Sequence, residues 1–279
     1  MSKALAYAVI SVLLVSTSFV GFQYILQYVS TGMAMLLWFL SAAGASLAIL
    51  VFRKTSLRQL AARHWRQALI LGVINTLTLA FWAFAIKSAG ASLTAFFMRF
   101  STIFAIILGI ALLREKLNKW EVAGAVLAVA GAAAISWQEQ SAHLGILLAV
   151  AAALTLAVQQ FYEKIAVRNV EPYSLNALRT SVTFLLLLPL LASMGSLGPV
   201  PAEMLPVIII GSTASAVAGF IFWYKALQGM EMSKGVIVRT LEPFVVVMYV
   251  LLVFGTIPTA IQLVGGAMIV GGVVLSQVK

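Results

Sequence analysis

The 279 residues are 62% hydrophobic and only 9% charged, yet they carry a formal net charge of +10. Apolar runs recur along the whole chain instead of gathering into one soluble core, which marks a polytopic membrane protein and excludes an ordinary globular domain. There is no cysteine and no aspartate, and His64 and His143 fall in connecting segments, so metal-centre and thiol chemistry are excluded and no cofactor is called for.

A helix needs about 20 apolar residues to cross the hydrocarbon layer. That ruler predicts an all-α protein of ten spans, at approximately 4–27, 32–52, 67–87, 91–113, 120–137, 144–165, 174–194, 204–227, 234–254 and 258–276. The first resembles a signal peptide after Lys3. Its apolar stretch is too long for one, and Tyr24 to Tyr28 lacks a small-residue cleavage site, so it is read as a mature helix. Lys3, the run RKTSLRQLAARHWR from Arg53, the loop REKLNK from Arg114, then Lys164, Arg168, Lys225, Lys234 and Lys279 all lie at alternate span ends, and the opposite ends carry only Lys87. By the positive-inside rule both termini are cytoplasmic. The positive charge follows the lipid surface and is no sign of nucleic acid.

The segment FWAFAIKSAGASLTAFFMRFSTIF from Phe81 resembles FWYKALQGMEMSKGVIVRTLEPFV from Phe222, setting Trp82 opposite Trp223 and Arg99 opposite Arg239. The same offset of about 140 residues sets VAGAVLAVAG from Val122 against LVGGAMIVGG from Leu263, and Val29 against Val170. The chain thus reads as one membrane domain of two five-helix halves, 1–140 and 141–279. Five is odd, so the second half starts on the other side of the membrane and is inverted relative to the first. Inverted repeats are the architecture of alternating-access transporters, with substrate held near the midplane. An intramembrane enzyme lacks its parts here: no paired carboxylates, no metal cluster and no nucleophile beside a histidine within a span. A non-catalytic assembly subunit is the alternative outside transport.

These two halves, with GASLTAFFMRFSTIFAIILGIALLREKLNKWEVAGAVLAVAG closing the first and LEPFVVVMYVLLVFG and QLVGGAMIVGG closing the second, resemble the drug/metabolite transporter superfamily, EamA-type. The resemblance covers essentially the whole chain. It implies an inner-membrane carrier, and an exporter of amino acids or related carboxylate-bearing metabolites, with export of drugs or organic cations as the alternative. Three departures stand out. The acidic residue common after the fourth and ninth helices is Glu115 in the first half but Thr256 in the second. An arginine common in the second helix is replaced by Trp38, while its repeat mate Arg179 is present. The first helix has VSTSFV where a Trp-Gly pair is frequent.

Charges inside the spans are costly, at least about 2.5 kcal/mol each at the helix centre, and so point to function. Arg99 lies about eight residues from the outer end of its span, and Arg179 and Arg239 about five from the inner end, which places one arginine in each vestibule of an inverted pair. For Arg179 and Arg239 a second reading stays open, in which their heads snorkel to the inner interface. Arg239 and Glu242 are three apart and share a helix face. Pro243 lacks an N–H and leaves the Arg239 carbonyl without its intrahelical partner, which favours a kink or polar pocket.

Three cations against one deep carboxylate, Glu242, favour a carboxylate-bearing substrate and make Glu242 the candidate proton carrier. Arg99 is read as the substrate's carboxylate partner or gate. Asn75, Gln159 and Gln160 are the costlier polar groups in the spans and so the better binding candidates. Ser16, Ser18, Thr78, Ser212 and Ser215 read first as helix-packing residues. Trp82 and Trp223 read as pocket walls or gates, an alternative to interfacial anchoring. The glycine-rich faces of the fifth and tenth spans, Gly124 and Gly131 with Gly265, Gly266, Gly271 and Gly272, favour packing of those helices on each other in a monomer, with a dimer as the alternative.

Overall fold

The computed structural model describes residues 3–136, 143–193, 198–257 and 259–275. The expected span ends at 137, 194, 258 and 276, and Lys279, lie outside them. Helices α1 (Lys3–Ile25) and α2 (Thr31–Phe52) follow the first two expected spans. Ser30 starts α2 by accepting the Met33 N–H at 3.3 Å, one of the donors a helix leaves unmet at its N-terminus.

The chain then departs from the expected pattern. Helix α3 (Leu57–Phe97) joins the basic run, the third span and the start of the fourth, with non-helical backbone at His64 (φ −122°, ψ 21°) and Gly90 (φ 78°, ψ 170°). His64 therefore lies at a kink within α3 and not in a connecting segment. At Gly90 the positive φ is accessible to glycine without steric cost. The next N–H, of Ala91, is taken by Gln23 Oε1 at 2.6 Å. Helix α4 (Phe100–Leu113) completes the fourth span after a tight turn at Met98 and Arg99.

The remaining elements are α5 (Lys119–Ser136), α6 (His143–Ala166), α7 (Pro172–Ser193), α8 (Met204–Ser212), a π-helical segment (Thr213–Gly219), α9 (Phe220–Gly229), α10 (Met232–Arg239), α11 (Glu242–Phe254) and α12 (Ala260–Leu275). Among the described residues seven helical stretches are long and apolar enough to cross a bilayer. Three of the ten expected spans do not stand among them separately: the fourth, whose start runs on from the third through Gly90 and whose remainder, α4, has 14 residues; the fifth; and the tenth, where α12 has 16.

The repeat mates α2 and α7 pack together, as do α5 and α12. The second pair meets at small residues, as its glycine faces foretold: a Cβ on Gly272 would come 2.4 Å from the Gly124 carbonyl. Helix α1 lies against α3, α9, α11 and the π-helical segment, while α6 lies between α3 and α4 on one side and α9 and α10 on the other. The largest apolar cluster, built around Phe22, Trp38, Trp82, Leu187 and Val246, draws on both halves of the chain.

Candidate functional site

A cavity of about 620 Å³, counted to its open mouth, lies where α1, α2, α3, α6, α7, α9, α10, α11 and the π-helical segment converge. Its walls include five aromatic rings, those of Phe19, Trp38, Phe39, Trp82 and Phe220. Trp38 is seated by two glycines, Gly21 and Gly211; a Cβ on Gly211 would come 2.7 Å from its ring. Phe22 packs on both tryptophans, with ring centroids 5.9 Å from Trp38 and 4.8 Å from Trp82.

Arg179 is one of two cations on the wall of this cavity. It is 1% exposed, which removes the snorkelling reading. One Nη donates to Asn75 Oδ1 at 2.8 Å, and the other donates to Asn176 Oδ1 and to the Ala216 carbonyl, both at 2.9 Å. The π-helical segment explains the last contact. Its wider hydrogen-bond register turns a backbone carbonyl toward the cavity, as such bulges do at functional sites. Asn75 and Asn176 are held in turn by Thr183 and Ser46. The Phe220 ring lies 3.7 Å below the guanidinium, a cation–π contact. No carboxylate lies within ion-pair distance of Arg179 among the described residues, and its Nε has no partner there.

The other two arginines meet at Glu242. Arg239 Nε donates to Glu242 Oε1 at 2.6 Å, the i, i+3 pair expected from spacing. Arg99 Nη2 donates to Glu242 Oε2 at 2.8 Å, and its Nη1 donates to the Arg239 carbonyl at 2.6 Å. That carbonyl is the one Pro243 leaves without an intrahelical donor. The helix breaks there, between α10 and α11, and the repeat mate breaks at Met98 and Arg99, both through tight i, i+3 turns. The break exposes a helix C-terminus to Arg99 and an N-terminus to Glu242, each of the sign that favours it. Arg99 and Arg239 therefore share one carboxylate, which corrects the expectation of one arginine per vestibule. Arg239 and Glu242 line the cavity, and Arg99 lies behind them.

Of the remaining predicted residues, Asn75, Trp82 and Gln159 line the cavity, as do Ser18, Thr78 and Ser215. Those three hydroxyls donate to carbonyls of their own helices. Gln160 is buried away from the cavity, as is Ser16, and Ser212 donates to Ser41. Trp223 is fully buried behind the wall, where its indole N–H donates to Glu163 Oε2 at 2.8 Å.

Glu163 was missed, and Glu242 is not the single deep acid. Glu163 is 0% exposed, and its Oε1 accepts from Gln159 Nε2 at 2.8 Å and from the Tyr224 hydroxyl at 3.2 Å. The signal in the sequence was the four-residue spacing from Gln159, which puts both on one helix face. It was masked by Lys164, because a Glu-Lys pair at a span end reads as interfacial.

The loop after α4 ties the halves together. Glu115 accepts the Met232 N–H at 2.7 Å and the Ser233 N–H and hydroxyl at 2.9 and 2.5 Å, so a carboxylate from one half caps α10 of the other. Thr256, its counterpart, carries no charge for such a cap. Asn118 and Glu121 form a reciprocal capping box on α5, and Lys234 reaches Glu121 at 3.2 Å. Glu115→Ala is expected to speed amide exchange at Met232 and Ser233 by about ten- to a hundredfold, the equivalent of losing charge-assisted bonds. Exchange at the parent rate would mean that the cap holds nothing.

Comparison with known proteins bears on the whole chain. A transporter of Archaeoglobus fulgidus, described only as uncharacterized, is 25% identical over 211 residues, 76% of each chain. A protein of known crystal structure shares the fold with a TM-score of 0.80 at 19% identity, covering 99% of this chain and 97% of its own. The profile of the EamA-like transporter family matches twice, over residues 2–137 and 143–277. With nearly every residue inside one match or the other, this multi-pass membrane protein belongs to the EamA-like transporter family.

Proposed function

We propose that the protein is an alternating-access carrier of a bacterial-type inner membrane that exports amino acids or related carboxylate-bearing metabolites, and that Arg179 is the residue that meets the carboxylate. The observation that carries this reading is Arg179 itself. A guanidinium buried in the cavity wall and held only by neutral acceptors leaves a positive charge for a ligand to neutralise. Arg239 adds to it, since its Nη1 has no partner among the described residues. Arg99, first read as the carboxylate's partner, is engaged by Glu242 and positions Arg239 instead.

The aromatic walls suit the apolar part of such a molecule, including an aromatic side chain. Ten spans in two inverted halves, with both termini cytoplasmic, are supported by the alternating basic loops and by the contact between the mates α2 and α7 and the mates α5 and α12. The same aromatics would attract an organic cation, but Arg179 and Arg239 beside them repel it. The test is counterflow of a panel of labelled amino acids into proteoliposomes of the purified protein. Saturable exchange that a carboxylate analogue inhibits and the matching amide does not is the expected result. Exchange of cationic drugs alone would replace this reading with the cation carrier, and no flux of either kind would leave an assembly subunit.

A further inference from the structure

Two buried carboxylates flank the cavity, and their surroundings differ. Glu242 is held by two guanidinium groups, one at each oxygen. Glu163, on α6, is held by three neutral donors, the Gln159 amide, the Trp223 indole and the Tyr224 hydroxyl. No side chain of α3, α4, α7, α9 or α10 forms an ion pair with it among the described residues. Lys164, next to it on α6, turns its ammonium to the Leu227 and Met230 carbonyls at 2.7 and 2.6 Å. Adding a proton to Glu242 would undo two ion pairs, whereas adding one to Glu163 undoes none. A hydroxyl both donates and accepts, so Tyr224 can donate to the carboxylate and accept from the acid without moving.

Each neutral donor leads toward the cavity. Gln159 lines it. Trp223 carries the Arg239 guanidinium 4.8 Å from its ring centroid. Tyr224 packs against Phe220, with ring centroids 6.0 Å apart, and Phe220 in turn lies against the Arg179 guanidinium. Five buried charged groups therefore stand within one connected set: three arginines, Glu242 and Glu163. With Glu163 ionised the set carries one excess positive charge, and with Glu163 protonated it carries two.

We propose that Glu163 is the proton-binding residue of this carrier, and that its protonation and the binding of an anion at Arg179 and Arg239 favour one another, so that proton and anion travel together. The sign follows from charge. A carboxylate substrate in the cavity and an ionised Glu163 repel each other through a low-dielectric interior, and the proton removes that repulsion. By linkage the proton then tightens anion binding as much as the anion tightens proton binding. Proton and substrate then move in the same direction, so export runs down the substrate's own gradient and carries protons out with it, and exchange of one for the other is excluded. This inference rests on the carboxylate reading above, but the proton site can be tested apart from it.

Trp223 reports on Glu163 directly through its hydrogen bond. In the purified protein without substrate, tryptophan emission is expected to step with pH, and the step should vanish in Trp223→Phe and in Glu163→Gln. Glu163→Asp should keep a step at a displaced midpoint, which guards against a Gln variant that merely misfolds. A step unchanged in Glu163→Gln, or no step in the parent, overturns the proton site whatever the substrate proves to be. In proteoliposomes holding a pH dye, an amino acid gradient is expected to carry protons with it in the parent. Glu163→Gln should retain counterflow with no proton movement, and its apparent affinity should not vary between about pH 5.5 and 8, throughout which an amino acid carboxylate is ionised. If the parent exchanges no carboxylate, the functional reading falls while the emission step still decides Glu163. If protons move against the substrate, the coupling is overturned.

Discussion

Glu242→Gln is expected to be the most destabilising conservative substitution in the chain. The carboxylate neutralises Arg99 and Arg239 at once, so removing it leaves two buried guanidinium groups facing each other without a counter-charge. Breaking one buried pair this way costs about 3–5 kcal/mol. Arg99→Gln should cost less, because the Arg239–Glu242 pair survives and the amide can still donate toward the Arg239 carbonyl. The pair of variants therefore has an ordered outcome, measured by denaturation of the purified protein in detergent. Near-equal losses below about 1 kcal/mol for both would mean that the triad is solvated and does not join the two halves. The joint is also where each half breaks its helix, so its loss should loosen the helix ends that meet there.

That triad shows how far the sequence was legible. Everything local in it could be read: the i, i+3 spacing of Arg239 and Glu242, and the carbonyl that Pro243 sets free. The donor for that carbonyl could not, since Arg99 lies 140 residues away in the chain and periodicity carries no information on which faces meet. The duplication was legible because both copies keep Trp82 and Trp223 in register, and the packing of α5 on α12 because glycines that admit close approach are visible as such. Arg179 was named from its depth. Its surroundings were not, because Asn176, Thr183 and the Ala216 carbonyl look like ordinary helix residues until a π-helical turn aims one of them inward. Glu163 was hidden by its neighbour, for a residue's position along a span says where it sits in the bilayer and nothing of which side of the helix is dry.

Arg179→Ala is expected to have the largest effect on transport. A charge-assisted hydrogen bond to a ligand is worth about 1.5–3 kcal/mol, so the apparent affinity for a carboxylate substrate should fall by about ten- to a hundredfold or more. Some of that loss could come from Asn75 and Asn176, whose side-chain oxygens lose their donor. Two comparisons separate the causes. Arg179→Lys keeps the charge but not the planar fork that reaches Asn75, Asn176 and the Ala216 carbonyl together, so it should retain carboxylate selectivity at reduced affinity. Arg179→Gln keeps donors for the asparagines without the charge. It should bind the carboxylate and the matching amide equally well, erasing the preference proposed for the parent. A glutamine variant that still prefers the carboxylate would move the anion site to Arg239, the second cation on the same cavity wall.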